Sequence, residues 1–391
     1  MDKDTLISSF GKWVAPINSD IFQDWKRFSM LDRYTKKLTT MVFLLLFVEA
    51  QLQKRKGLRA IMREIQADEE FQQAIGITSI SASQLSRKNN KLEPEVLHTI
   101  LCDLISQLHR VKSPAAARVG PVKVIDSTTI SLCLGKYKWA TFRKTKAGVK
   151  LHLRVTFAEP GLVFPDKAVI TPAKPADHTQ MDVLIDEADA TYLMDRAYLD
   201  YGKYDDYCVR GIRFVSRLKN NAFVEEIEEL AIPEESTILR DVKVILGKGN
   251  KRMQHALRMV ETVDSKGNPV RIITNRFDLT AEEIGDLYRS RWQIEIFFRW
   301  VKQNLKLTCF YGTEEHAVMN QIWVCLIAYC LLLLLKLENA LDKSLTELMH
   351  LLITLLWKPW DKLQVELNRK PSRTSRGRQK KQMSVTVDNQ I

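Results

Sequence analysis

Between residues 1 and 110, apolar positions recur at helical spacing with short polar breaks and almost no strand-like alternation, which predicts a helical N-terminal region. Within it, Ile77–Lys91 (ITSISASQLSRKNNK) leads small and hydroxyl side chains into Gln84, Arg87, Lys88 and Asn89. That texture resembles a helix-turn-helix, and a polar loop between helices would read the same way. Ser113–Val119 (SPAAARV) breaks the period with proline and small residues and reads as a linker. The pattern then changes. Val122 to Ile125 is β-branched and predicts a strand ending at Asp126, followed by the hydroxyls of Ser127, Thr128 and Thr129. Leu151, Leu153, Val155 and Phe157 alternate with His152, Arg154 and Thr156, as in a half-buried antiparallel strand. Thr179–Ala188 reads as helix, Tyr192–Met194 as a strand ending on Asp195, Tyr204–Val209 as helix and Ile212–Ser216 as a third strand. Such alternation predicts a mixed α/β sheet. From Arg217 to Asn275 short strands return, at Val242–Leu246, Ala256–Val263 and Val270–Thr274, and read as a β insertion in the α/β core.

A capping box at Thr280-Ala-Glu-Glu283 starts a long helix. At about 100° per residue, Leu287, Ile294, Phe298, Val301 and Leu305 form its buried stripe, and Tyr288, Arg291, Glu295 and Lys302 share one flank of that stripe. Further on, Ile322 to Leu335 carries no charge over 14 residues. A membrane span needs about 20, so a buried core helix is expected.

The 391 residues have room for two or three domains, and 45% hydrophobic with 27% charged residues is an ordinary globular balance. The charge is less ordinary: 59 Lys+Arg against 47 Asp+Glu leave +12, which favours a polyanionic partner. Residues 366–391 alone carry 7 basic against 2 acidic side chains and read as a disordered tail that attracts DNA non-specifically. No acidic residue occurs from Ser127 to Ala158, where Lys136, Lys138, Arg143, Lys144, Lys146 and Lys150 interleave with Tyr137, Trp139 and Phe142. A basic hairpin of that kind, reaching to Arg154, suits phosphate contact and base stacking, as it would a merely solvated surface. The six cysteines form no C-x-x-C pair, so neither zinc nor a disulfide framework is expected, and a reducing cytoplasm fits. Asp2 and Asp4 precede an amphipathic stretch rather than an apolar leader, so secretion is not expected.

Taken alone, the helix flank could be an amphipathic face in which Arg291 and Glu295 form an i,i+4 pair worth a few tenths of a kcal/mol. Together with Asp126 and Asp195, Glu295 supplies a third carboxylate that could meet them in one cleft. Hard oxygen ligands suit Mg²⁺, and a pair of such ions serves phosphoryl chemistry.

The spacing Tyr288-x2-Arg291-x3-Glu295-x6-Lys302 resembles the Y-R-E-K signature of bacterial insertion-sequence transposases of the DDE type, the insertion sequence four group. The surrounding DLYRSRWQIEIFFRWVKQNLKL, VIDSTTISLCL at Asp126 and FVSRLKNN at Phe214–Asn221 resemble that group as well. Asp195-Arg-Ala-Tyr198 is similar to its second-aspartate motif, with Ala197 where glycine is more usual. The resemblance implies a ribonuclease H-like catalytic core in which Asp126, Asp195 and Glu295 bind two Mg²⁺ ions, Mn²⁺ being able to substitute. It implies that Tyr288, Arg291 and Lys302 contact DNA phosphate, with Arg196, Tyr198 and Arg217 as further DNA-binding candidates. The implied function is cut-and-paste DNA transposition: binding of terminal inverted repeats, metal-dependent strand cleavage through a hairpin intermediate, and strand transfer. The acting form would be a homodimer on double-stranded DNA, nucleoid-associated, with no membrane and no small-molecule substrate. Rival readings are a DDE-type nuclease without strand transfer and an inactive DNA-binding relative acting as repressor. The domains expected are a helical DNA-binding region over 1–112, the catalytic domain over 113–312 with its insertion at about 217–275, C-terminal helices over 313–365, and the tail 366–391.

Overall fold

The computed structural model describes residues 8–17, 31–111, 119–234, 236–264, 266–307 and 309–369. The predicted linker between 113 and 118 and the basic tail beyond 369 lie outside the described residues. Ten strands form one sheet: β1 (Val122–Leu132), β2 (Thr141–Arg143), β3 (Lys146–Glu159), β4 (Leu162–Pro172), β5 (Thr191–Met194), β6 (Arg213–Arg217), β7 (Val224–Glu229), β8 (Arg240–Leu246), β9 (Leu257–Val263) and β10 (Pro269–Thr274). Strands β1, β3 and β4 pair antiparallel, β5 lies parallel to β1, and β6 lies parallel to β5. This mixed α/β arrangement is the ribonuclease H-like core that the sequence resemblance implies. Strand β10 then pairs antiparallel with β6 and carries β9, β8 and β7 outward, so the inserted strands extend the same sheet. The middle strands are buried on both faces, which is why Val124, Ile125, Tyr192 to Met194, Phe214 and Val215 read as near-continuous apolar runs.

The Glu315–Glu338 helix is the hub of the other layer. It is apolar all round, and a helix of that kind has no solvent face to offer. It packs against the Pro94–Val111, Thr40–Leu52 and Ala82–Lys91 helices on one side and β4 on the other, where Tyr329 donates to the Val163 carbonyl at 2.6 Å. Although it is long and apolar enough to cross a membrane, 94% of its most apolar window is buried inside the protein, as expected for a core helix. N-terminal helices, sheet and C-terminal helices share one continuous hydrophobic core through it.

Five local expectations are corrected. The strand beginning at Val122 does not end at Asp126 but continues to Leu132, because β3 pairs with it along its whole length. Strand β3 is not half-buried: His152, Arg154 and Thr156 are as enclosed as their apolar neighbours. Arg154 bonds to Asp166, to the Leu184 carbonyl, to Asp186 and to Glu187, so the segment after β4 is drawn across this face. That recruitment also explains why Thr179–Ala188 is helical only in single turns at Asp177–Gln180 and Met181–Leu184. Finally, the helix from Thr280 is two helices, Ala281–Ser290 and Trp292–Asn304, meeting at Arg291, where the backbone tightens to i→i−3 bonding. The capping box itself is present, with both Thr280 and Glu283 bonds made. The Trp360–Asn368 helix also runs three residues into the segment expected as tail.

Candidate active site

Ile125 on β1 lies opposite Met194 at the end of the parallel β1–β5 pair. The next residues are Asp126 and Asp195, so both carboxylates leave the sheet side by side at its carboxyl edge, with parallel strands about 4.8 Å apart. Ligand clefts of α/β sheets form at this edge. β1 continues past the point where β5 stops, so Asp126 is held in regular strand geometry, while Asp195 caps the short turn Arg196–Tyr198 by accepting from the Ala197 N–H at 2.7 Å. The third acid comes from the Trp292–Asn304 helix, which buries Ile294, Phe297, Phe298 and Val301 beside β1 and β4 and leaves Glu295 on the flank facing the aspartates.

Arg291 links two of the three. Its guanidinium donates to Glu295 at 2.6 Å and stands 3.6 Å from Asp126, and it lies 5.7 Å from the Tyr288 ring centroid. Its side chain is only 12% exposed, and Nε and Nη1 are buried without a hydrogen-bond partner. Burial pushes the Asp126 carboxyl up to about 6, and the nearby Asp195 and Glu295 charges add to the rise against the Ser127 N–H and Arg291. Burial works against the Arg291 charge too, but Tyr288, Glu295 and Asp126 outweigh it and hold the guanidinium protonated. The Tyr288 phenol is raised by burial and stays neutral near Asp195 and Arg217. Lys302, about two turns beyond Glu295, donates to Thr128 Oγ1 at 2.5 Å, two residues from Asp126. Burial lowers the pKa of its ammonium.

The weaker sequence candidates divide. Arg196 is exposed beside Asp195, and Arg217 lies at the end of β6 within electrostatic reach of Tyr288. Tyr198 has no exposed surface and packs beneath the site in the cluster with Tyr204 and Phe214, so it has no face to present to DNA. The basic hairpin divides likewise. Lys136, Lys138, Arg143, Lys144 and Lys146 are exposed. Tyr137 is buried against Phe310, and the Trp139 indole donates to the Thr313 carbonyl at 2.8 Å, so these two aromatics anchor the hairpin rather than stack on bases. Sequence reasoning missed Asp177. It accepts from Ser127 Oγ at 2.6 Å and pairs with Lys150 at 3.1 Å, which ties the residue after Asp126 to the covering segment. Its neighbour His152 is fully buried, and that burial lowers its pKa to about 4. An aspartate in a Pro/Ala-rich loop 50 residues from its partner carries no local signal.

Chemically, the donor set is three carboxylates at one sheet edge, the hard anionic oxygens that Mg²⁺ binds. Among the described residues no three such groups stand close enough together to cage an ion. The Arg291 guanidinium lies between two of them and supplies the positive charge they share. The raised Asp126 pKa comes mainly from burial; the Asp195 and Glu295 charges add smaller rises against the lowering by the Ser127 N–H and Arg291. By donor chemistry alone, three carboxylates beside one another suit a divalent cation, and in this structure they do not close on a single position.

Known proteins resemble this chain over the region that carries the site. The model of the transposase DDE domain matches residues 118–331, and a domain of unknown function (DUF4372) matches residues 5–78. The probable transposase for insertion sequence element IS5377 of Geobacillus stearothermophilus is 31% identical over 259 residues, 66% of this chain and 68% of that protein. The protein y4zB of Sinorhizobium fredii, likewise named as a transposase, is 30% identical over 251 residues, 63% of this chain and 69% of that one. Transposase InsG for insertion sequence element IS4 of Escherichia coli is 28% identical over 148 residues, 35% of this chain and 33% of that one. With more than half of its length matched by that model, and all three acids inside the match, this chain belongs to the DDE transposases of bacterial insertion sequences.

Proposed function

We propose that this DNA transposase binds the terminal inverted repeats of its own insertion sequence, hydrolyses a strand at each end to free a 3′-OH, and joins that end to target DNA. The observation that carries the reading is the β1–β5 register, which sets Asp126 beside Asp195, with Glu295 linked to Asp126 through Arg291. Asp126, Asp195 and Glu295 would hold two Mg²⁺ ions, or Mn²⁺ in their place; bound there, the ions supply the Lewis acidity that activates an attacking oxygen and stabilises a leaving one at phosphorus.

The chain's own groups do the holding. The Arg291 guanidinium, held at Glu295 and Asp126, sets its positive charge beside the phosphate, and the neutral Tyr288 phenol donates beside it. Lys302, fixed by Thr128, places a point charge on the same flank. Held this way, the scissile phosphate is in line for displacement before the reaction starts. Arg196 and Arg217 extend the cationic rim, and the exposed lysines of the hairpin grip the duplex further out. The helical region up to residue 112 would read the repeat through the exposed Ser83, Gln84, Arg87 and Lys91 of the Ala82–Lys91 helix. Two ends act together in such a reaction, so a homodimer on DNA is the proposed active form.

A labelled terminal-repeat duplex incubated with the protein, Mg²⁺ and a target plasmid tests this. Cleavage followed by joining is expected, and both disappear in Asp126→Ala, Asp195→Ala and Glu295→Ala. Cleaved ends that never join would reduce the activity to that of a nuclease, and cleavage unchanged in any of the three variants would sink the triad.

A further inference from the structure

A second concave surface opens next to Asp195. The turn from Lys219 to Phe223 and the loop from Gly247 to Arg252 enclose a cleft of about 730 Å³, closed on its other side by Tyr201. The shallow shelf formed by Asp195, Arg196 and Ala197 shares Lys219 and Asn221 with it, so cleft and catalytic edge are continuous.

Its lining is cationic and aromatic. Lys219, Lys248 and Lys251 have no carboxylate partner among the described residues, and the Phe223 ring is 50% exposed with the Lys248 ammonium 5.7 Å from its centroid. The acids on the far wall are engaged elsewhere: Asp205 holds the Gln254 and His255 N–H groups, and Asp200 caps the Tyr201–Arg210 helix. The loop is also built to stay in shape. Gly247 sits at φ +80, and a Cβ there would come within 2.2 Å of the Lys251 carbonyl oxygen, so only glycine lets the chain fold this tightly on itself. Bonds from the Gly247 N–H to the Phe223 carbonyl and from the Met253 N–H to the Leu246 carbonyl fix both walls to β7 and β8.

Unpaired lysines around an exposed ring are the elements of a single-strand platform, in which phosphates follow the cations and a base stacks on the aromatic face. The volume is that of a cleft for small ligands, roughly 300–1,000 Å³, which takes nucleotides but not a duplex. We infer that this cleft receives an unpaired DNA strand running on from the phosphate held at Asp195, with a base against Phe223 and its phosphates on Lys219, Lys248 and Lys251. The inference rests on the proposed placement of the scissile phosphate.

The test uses the full chain and terminal-repeat duplexes that are blunt or carry a short oligo-dT extension on one strand or the other, with binding followed by fluorescence anisotropy across a salt series. One polarity of extension tightens wild-type binding. Phe223→Ala abolishes that gain, a loss of roughly 5- to 150-fold if stacking on an aromatic is worth about 1–3 kcal/mol per base. Lys248→Gln with Lys251→Gln lowers the salt slope of the extended duplex by about 0.7 for each phosphate contact removed. Blunt-duplex affinity and the thermal midpoint stay unchanged in both variants. An extension that adds nothing to wild-type binding overturns the inference, as do variants that weaken blunt and extended duplexes equally. Cleavage of the blunt end by wild type and its loss in Asp195→Ala are measured alongside, so failure of the catalytic reading registers separately.

Discussion

Arg154→Ala is expected to weaken the fold and leave DNA contact intact, the opposite of what its place in a basic, acid-free stretch of sequence implies. The side chain is 5% exposed and makes charge-assisted bonds to Asp166, Asp186 and Glu187 besides one to the Leu184 carbonyl at 2.9 Å. Asp166 is equally enclosed. Burial alone would raise its pKa, but the bond from His109 and the charges of Lys123 and Arg154 outweigh burial and hold it well below the usual carboxylate range. Removing one partner of a buried ion pair costs about 3–5 kcal/mol because the other charge is left uncompensated. Here Lys123 and His109 stay on Asp166, so the lower end, about 3 kcal/mol, is the expected loss. That is a large part of the roughly 5–15 kcal/mol that holds a domain together. The exposed Lys144 supplies the control: Lys144→Ala should change stability by less than about 0.5 kcal/mol. If Lys144 meets a phosphate, its loss should also lower the salt slope of DNA binding by about 0.9. Urea unfolding and anisotropy titration measure both quantities. An Arg154→Ala protein with an unchanged midpoint and lost DNA affinity would place this side chain on DNA and refute the reasoning.

Three further outcomes are expected. Asp126→Asn should raise the melting temperature in the presence of a chelator while abolishing cleavage. Its carboxyl is raised from 3.8 to about 6, so the favourable contribution is full below the unfolded value and is lost as pH rises through about 6, up to about 3 kcal/mol at neutral pH. Melting curves at pH 4 and pH 8 check the sign, since the gain from asparagine should appear only at the higher pH. Arg291→Lys keeps a positive charge but lacks the fork that reaches Glu295 while flanking Asp126, and strand cleavage should fall by about 10² or more; activity near wild type would show that charge alone suffices. Leu331→Ala, in the middle of the hub helix and fully buried, should cost about 2–5 kcal/mol by denaturant unfolding, and a value under 1 kcal/mol would contradict the packing around that helix.

Much of this protein was legible before any tertiary contact was known. Local periodicity sufficed for the N-terminal helices, for the near-continuous apolar strands and for the capping box at Thr280, because each is decided within a few residues of chain. The spacing of Tyr288, Arg291, Glu295 and Lys302 placed four side chains on one flank by helical geometry alone, even though the helix proved to change hydrogen bonding at Arg291. An uncharged run of 14 residues, too short for a span, pointed correctly to a core helix. What the sequence could not express is which partner each polar group would find. Arg154 and Lys144 look alike in a basic stretch, yet one is locked onto acids from beyond β4 and the other faces solvent, since burial depends on what the rest of the chain lays over a strand. Tyr198 reads as a polar neighbour of a candidate catalytic acid and lies wholly within the core. The sequence by itself thus determined most of the elements and the family, and it named three candidate acids. Only the tertiary structure decided that Ile125 stands opposite Met194, that Arg291 stands between Asp126 and Glu295, and that a lysine-lined cleft adjoins Asp195, because register and burial are set by contacts between residues far apart in the chain.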